Sequence, residues 1–388
     1  MASRRSFIGA GIGGAAAILC ATPTSAAESS PPGGGRALIL TGGVNRGAYQ
    51  AGVVRGLAEV AGLRDGQPLP YDLISGSSIG ALNAYLVATA QYERLREVWR
   101  EVASRPLFAL KPRYAKVATP SSGIATRLEA AISLAFGLAG RTKGVVDPGP
   151  IRALLAEYVD PAFPIHVPTY FSATNLTRKR TEIFVLRGTS AGGIARQERL
   201  DPILEPLRRI VLHPVVGEDV RAALFASSAL PIVFDPVRVA RADGSGKSDE
   251  YIDGGLADNV PIDVARRCAT TIDIVGVDPP ASLEEEADYA NAAGIGSAVF
   301  GIMQTRIIQQ TVKLAYAESL LAAGAKRRSL EIEDEELPIL IRYLRPSAPL
   351  PGRLGDFTDL AALDAMQEIG RSDALRGWQP FNWLGTYG

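Results

Sequence analysis

The chain has 388 residues, 47% of them hydrophobic, enough to bury the core of one large α/β domain or two ordinary ones. Lys plus Arg (41) balance Asp plus Glu (41), which argues against the broad cationic field that nucleic-acid binders carry. The 2 cysteines, Cys20 and Cys268, cannot make a disulfide framework or a zinc cluster, so no metal or other cofactor is expected, and the 2 histidines, His166 and His213, leave little choice of general base.

The N-terminal stretch SRRSFIGAGIGGAAAILCATPTSAAESS joins Arg4 and Arg5 to an apolar run from about Phe7 to Cys20. Small residues Thr24, Ser25 and Ala26 follow, then a polar continuation. The run is shorter than the roughly 20 apolar residues a membrane span needs, and its layout is that of a twin-arginine export signal. Residues 1–27 are therefore expected to be cleaved from a bacterial protein exported to the periplasm or beyond, with a retained anchor as the alternative reading. Residues 28–35, containing SSPPGGG, read as a flexible tether.

From Arg36 onward strand and helix signals alternate, which predicts a mostly parallel sheet covered by helices on both faces, a three-layer α/β/α fold. RALIL (36–40) is a short apolar strand, and AYQAGVVRGLAEVAG carries apolar residues at helical spacing. Between them lies the glycine loop of LTGGVNRGAYQAG (40–52). PYDLISGSSIGALNAYLVATA repeats the plan, with Leu73 and Ile74 in a strand, GSSIG as the turn and a helix through Ala90. RLEAAISLAFGLAG (127–140) is either a lid over an apolar channel or a buried helix. TYFSATNL and TEIFVLRG form adjoining strands, TIDIVGV a late buried one, and residues 281–330 are largely helical in pattern. A strand in PILIRYL and a helix in DLAALDAMQEIG close the domain, expected over residues 36–375, with 376–388 as a tail. EIEDEELP and AKRR read as solvated charge.

Three stretches carry chemistry. GSSIG fits GxSxG with Ser78 at its centre, after an apolar strand and opening a helix, where a strained turn projects the hydroxyl beyond the sheet. A helix N-cap is the plain alternative, and Ser77 is the rival nucleophile if the turn is offset. Serine needs a base. His166 lies between prolines and His213 precedes one inside an apolar run, neither in a glycine-marked loop, so both read as structural. Asp253 in YIDGGLADNVPI, at the end of a short apolar strand, is the best carboxylate, its alternative being a turn cap. The loop at Gly42 and Gly43 presents N–H groups at a helix start, suited to an anion. It lacks the GK[ST] ending and the GxGxxG spacing of nucleotide loops, which leaves the oxyanion of acyl transfer.

In this order the three stretches resemble the patatin-like phospholipase family of lipid acyl hydrolases. TGGVNRGAYQAGVVRGL is similar to the family's oxyanion loop and helix, GSSIGALNA to its nucleophile turn and DGGLADNVPI to its aspartate loop. VVDPGPIRALL, FSATNL and ASSALPIVFDPV extend the likeness from about Ala37 to Pro279, and more loosely to about Ala374. The resemblance implies a histidine-free dyad of Ser78 as nucleophile and Asp253 as base. It implies oxyanion donors at Gly42, Gly43 and Val44, and supporting roles for Arg46, Gly47, Gly76, Gly80 and Gly254. A lipid ester is the implied substrate, with transient contact at a membrane surface. Val44 departs from the family's third consecutive glycine, so the loop must use ordinary dihedrals there or be distorted. Arg46 either adds positive charge at the loop or forms a salt bridge at the helix start. A catalytically silent lipid binder and a histidine-dependent α/β-hydrolase are the competing readings.

Overall fold

A computed structural model describes residues 34–114, 143–205, 210–241, 245–278, 292–327 and 339–380. The expected export signal, the candidate lid at 127–140 and EIEDEELP lie outside these residues. RALIL forms β1 (Arg36–Leu40), and the glycine loop leads through a short 3-10 turn, Val44–Arg46, into α1 (Gly47–Val60). Then come β2 (Leu73–Ser77), α2 (Ile79–Ala88), α3 (Tyr92–Ser104), α4 (Gly149–Tyr158), β3 (Thr169–Asn175) and β4 (Arg180–Leu186). Next are α5 (Ala191–Leu204), β5 (Leu212–Pro214), α6 (Asp219–Ser228), β6 (Val237–Ala240) and β7 (Ser248–Ile252). The chain continues with α7 (Ile262–Cys268), β8 (Thr271–Val275), α8 (Ala292–Arg327), β9 (Leu340–Leu344), α9 (Leu360–Arg376) and β10 (Gln379–Pro380).

Among the described residues all ten strands join one sheet in the order β10-β9-β8-β1-β2-β3-β4-β5, with β7 also pairing β3 and β6 pairing β7. The centre, β9-β8-β1-β2-β3, is parallel throughout. Antiparallel pairs occur at β3/β4, β3/β7, β6/β7 and β9/β10. Successive side chains of a strand point to opposite faces, and the central strands are apolar on both. Leu38, Leu40, Ile74 and Phe171 enter one core with α1, α2, α3, α4, α6 and α9. Ala37, Ile39, Leu73 and Tyr170 enter the other, with Leu200 of α5, Val264 of α7 and Ile308 and Val312 of α8. The fold is therefore a three-layer α/β/α sandwich around a mostly parallel sheet.

Two features differ from the sequence expectation. Gly35, placed in the tether, is already part of the fold, because its carbonyl accepts from Thr270 N–H (2.9 Å) and Thr271 N–H (3.2 Å). At the other end β10 pairs antiparallel with β9, so the start of the expected tail extends the sheet. The α1–α9 contact is close because a Cβ on Gly52 would lie 1.8 Å from Gln367 O, and one on Gly370 2.1 Å from Tyr49 O. Only glycine lets the two backbones approach that far.

Candidate active site

β1 and β2 are adjacent and parallel, so the loops leaving their C-terminal ends emerge side by side, the glycine loop from one and GSSIG from the other. Ser78 occupies the turn between β2 and α2 with φ 53 and ψ −125, a left-handed strained geometry. Gly76 and Gly80 make the turn possible: a Cβ on Gly80 would lie 2.2 Å from Leu40 O, and one on Gly76 would lie 2.7 Å from Gly80 O. The turn is anchored from beneath. Ser78 N–H donates to Ser227 Oγ (3.1 Å), and Ser227 Oγ donates to Ser172 O (2.7 Å). Ser77 is fully buried in β2, with its Oγ 3.0 Å from Ser172 Oγ, so Ser78 is the serine that reaches the cavity.

Asp253 directly follows β7 and is 1% exposed. Its N–H donates to Ala229 O (2.9 Å), and its carbonyl accepts from Thr174 Oγ1 (2.9 Å). The carboxylate is held at both oxygens: Oδ1 accepts from Gly255 N–H (2.8 Å) and Oδ2 from Ser78 Oγ (2.5 Å). Burial pushes this carboxyl from its ordinary 3.8 up to about 6, against the downward pull of those two hydrogen bonds. A Cβ on Gly254 would lie 2.2 Å from Ser172 O, which accounts for the glycine after the aspartate.

The glycine loop lines the same small cavity, of about 50 Å³, as Ser78 and Asp253. Its donors differ from the expectation at one position. Gly42 N–H is given to Asn259 Oδ1 (2.9 Å), whereas no hydrogen bond involves the N–H of Gly43 or Val44 among the described residues. The available pair is thus Gly43 and Val44, with Gly42 beneath them. Val44 takes φ 54, so of the two options open to a β-branched residue here the chain adopts the distorted one. Arg46 pairs with Asp278 at 3.1 Å, and a Cβ on Gly47 would lie 2.6 Å from Ile79 Cγ1. Asn45 ties the loop to residues 353–356: its Nδ2 donates to Arg353 O (3.0 Å) and Asp356 O (3.1 Å), and its Oδ1 accepts from Gly355 N–H (2.9 Å).

From Ser78 and Val44 a second, apolar cavity of about 130 Å³ runs between α2, α3, α4 and α6. Leu82, Leu86, Trp99 and Phe225 are among its walls, and Phe357 stacks on both Trp99 and Phe108. Neither histidine lines either cavity. His166 N–H donates to Ala88 O (2.8 Å), and His213 Nε2 lies 2.8 Å from Glu182 Oε2. Among the described residues no group of 3 or more His, Cys, Asp or Glu is arranged to hold a metal ion. Cys268 is a buried free thiol.

Residues 38–266 match the family model of patatin-like phospholipases. The chain belongs to the patatin-like phospholipase family. No curated protein matches it. Among solved structures it is similar to VipD from Legionella pneumophila, with 14% sequence identity and a TM-score of 0.35 over 90% of this chain and 68% of that one. The patatin-like domain contains three contributors that sequence reasoning missed: Asn259, Ser227 and the Trp99–Phe357–Phe108 stack. Asn259 and Ser227 had a signal, since they stand within DGGLADNVPI and ASSALPIVFDPV, stretches already singled out, whereas the aromatic stack had none.

Proposed function

We propose that the chain is a serine esterase that cleaves carboxylic esters of phospholipids or related lipids through a Ser78–Asp253 dyad and an acyl-enzyme. The observation that carries this reading is the 2.5 Å hydrogen bond from Ser78 Oγ to Asp253 Oδ2, with no histidine at either cavity. Asp253 takes the proton of Ser78 Oγ as that oxygen attacks the ester carbonyl carbon. The negative charge then forming on the carbonyl oxygen is met by the N–H groups of Gly43 and Val44. Collapse of the tetrahedral adduct passes the proton from Asp253 to the departing alcohol and leaves the acyl group on Ser78. Water, deprotonated by the same carboxylate, attacks the acyl-serine, and the proton returns to Ser78 Oγ as the acid leaves.

An ordinary carboxylate is a weak base for this step. A carboxyl raised to about 6 is better matched to a serine hydroxyl, and Gly255 N–H on Oδ1 keeps Oδ2 aimed at the nucleophile. The larger apolar cavity suits the acyl chain and the smaller one, where Ser78 and Asp253 lie, the ester group, which favours lipid esters over polar ones. Transient contact with a lipid surface and export, read from Arg4, Arg5 and the apolar run, belong to the same proposal. Vesicle co-sedimentation and cell fractionation test them. The central test is labelling by a fluorophosphonate together with hydrolysis of p-nitrophenyl esters. Label on Ser78, with both signals absent in a folded Ser78→Ala variant, is the expected result; an unlabelled, inactive wild-type chain would leave a lipid binder instead.

A further inference from the structure

Asn259 has no part in the reaction steps above, yet it is 2% exposed and lines the cavity beside Ser78. Its Oδ1 accepts from Gly42 N–H at 2.9 Å. The carbonyl of the same peptide, Thr41 O, accepts from Gln50 Nε2 at 2.7 Å. Gln50 is held in turn: its Oε1 accepts from Asn83 Nδ2 (3.0 Å), and Asn83 Oδ1 accepts from Trp99 Nε1 (3.1 Å). All four of these side chains belong to buried residues. The Thr41–Gly42 peptide plane is therefore gripped at both polar atoms, by Gln50 of α1 on one side and by Asn259, far along the chain, on the other. It cannot rotate without breaking a buried hydrogen bond.

That plane leads directly into the turn through Gly43 to the left-handed Val44, where Gly43 O accepts from Arg46 N–H (3.0 Å), so the directions of the next two N–H groups depend on it together with that bond. A second observation ties the pair together. A Cβ on Gly42 would lie 2.3 Å from Asn259 Oδ1 and 3.1 Å from Ser78 Cβ, so the carboxamide fills the space a side chain at 42 would need. Asn259 also stands on the Asp253 loop, where Asp258 N–H donates to Gly254 O (2.9 Å) and Asp258 O accepts from Ser172 Oγ (2.8 Å). One loop thus holds the carboxylate and, through Asn259, the glycine loop.

We propose that Asn259 is a positioning residue that, by accepting from Gly42 N–H, aims the Gly43 and Val44 N–H groups at the carbonyl oxygen of the substrate. The kinetic consequence rests on the Ser78–Asp253 reading; the clamp itself does not. Two variants separate the acceptor from mere space-filling: Asn259→Leu keeps similar volume without an acceptor, and Asn259→Asp keeps an acceptor at the same reach. Amide hydrogen exchange of the segment 40–46 and steady-state hydrolysis of a soluble p-nitrophenyl ester are measured in both. In Asn259→Leu, exchange at Gly42 speeds up by about tenfold or more. Its kcat falls by about 10², while KM stays within about threefold because the apolar cavity is untouched. Asn259→Asp restores slow exchange at Gly42. Wild-type exchange or wild-type kcat in Asn259→Leu would overturn the proposal, as would fast Gly42 exchange in Asn259→Asp. If Asn259→Leu fails to fold, the exchange of Asn259→Asp decides alone. If the wild-type chain hydrolyses nothing, the esterase reading fails and the exchange comparison still decides the clamp.

Discussion

Replacing Asp253 by asparagine should stabilise the fold while removing its activity, and the size of the gain follows from the buried carboxyl. Its affinity for a proton rises from an ordinary 3.8 to about 6 on folding. Each unit is worth about 1.4 kcal/mol, so holding this group ionised inside the folded domain costs about 3 kcal/mol. The sign is fixed by linkage: the folded state binds the proton more tightly, so the penalty is absent below pH 4, grows between 4 and 6, and is complete above 6. Asparagine carries no charge and satisfies the same partners, with Oδ1 accepting from Gly255 N–H and Nδ2 donating to Ser78 Oγ. At pH 8 Asp253→Asn should therefore exceed the wild type by about 3 kcal/mol, or about 4 °C in Tm for a folded unit spanning Gly34–Gly388. At pH 4 the gap should close to under about 1 kcal/mol. Thermal or urea unfolding of both proteins at the two pH values measures it. Ester hydrolysis in the variant should fall by about 10² to 10⁴, the range for a lost general base. Wild-type kcat/KM should rise about tenfold per pH unit up to about pH 6 and level off above it. A variant less stable than wild type at pH 8, or a stability gap independent of pH, would refute the reasoning.

Two further variants probe the same chemistry. Val44→Gly exchanges a left-handed β-branched residue, strained by about 1–2 kcal/mol, for one that loses about 0.5–1 kcal/mol in chain entropy and some side-chain packing, so stability should move by less than about 1 kcal/mol. The N–H remains, so hydrolysis of a short straight ester should stay within about threefold. Esters branched beside the carbonyl should gain, because the Val44 side chain is part of the wall of both cavities. A loss beyond tenfold on the short ester would show that the valine side chain itself is needed. Joint replacement of His166 and His213 by glutamine should leave kcat/KM within about threefold, against a loss of about 10² or more if either were the general base. Hydrolysis by the folded double variant, compared with wild type, decides between the dyad and a histidine-dependent hydrolase.

What was legible in the sequence follows from how local each signal is. β1, β2 and β8 are short runs buried at all but Arg36, and buried parallel strands advertise themselves by apolar residues such as ALIL, LI and IV. Ser78 and Asp253 were legible because each has glycines beside it in a short motif, although Gly80 and Gly254 are needed where their turns press on backbone oxygens of neighbouring strands, Leu40 O and Ser172 O. β5, β6, β7 and β10 carry no such signal. LHP and the two-residue QP are too short to show a period, and SDEYI places charged residues where β7 leaves the core for β6. They are strands because the sheet edge offers them partners. The glycine loop lies between these cases. Its glycines and its departure at Val44 are visible in one stretch, and the dilemma posed there, ordinary dihedrals or distortion, is resolved by φ 54. The partner of Gly42 is Asn259, 217 positions along the chain, and no local pattern couples an asparagine after an aspartate loop to an N–H so far away. The pairing matters because it removes one expected donor and gives that donor a structural task. An oxyanion site needs donors fixed before charge develops. A flexible glycine loop supplies them only if something outside it supplies the rigidity, and on the reading proposed above that rigidity comes from the loop that carries Asp253.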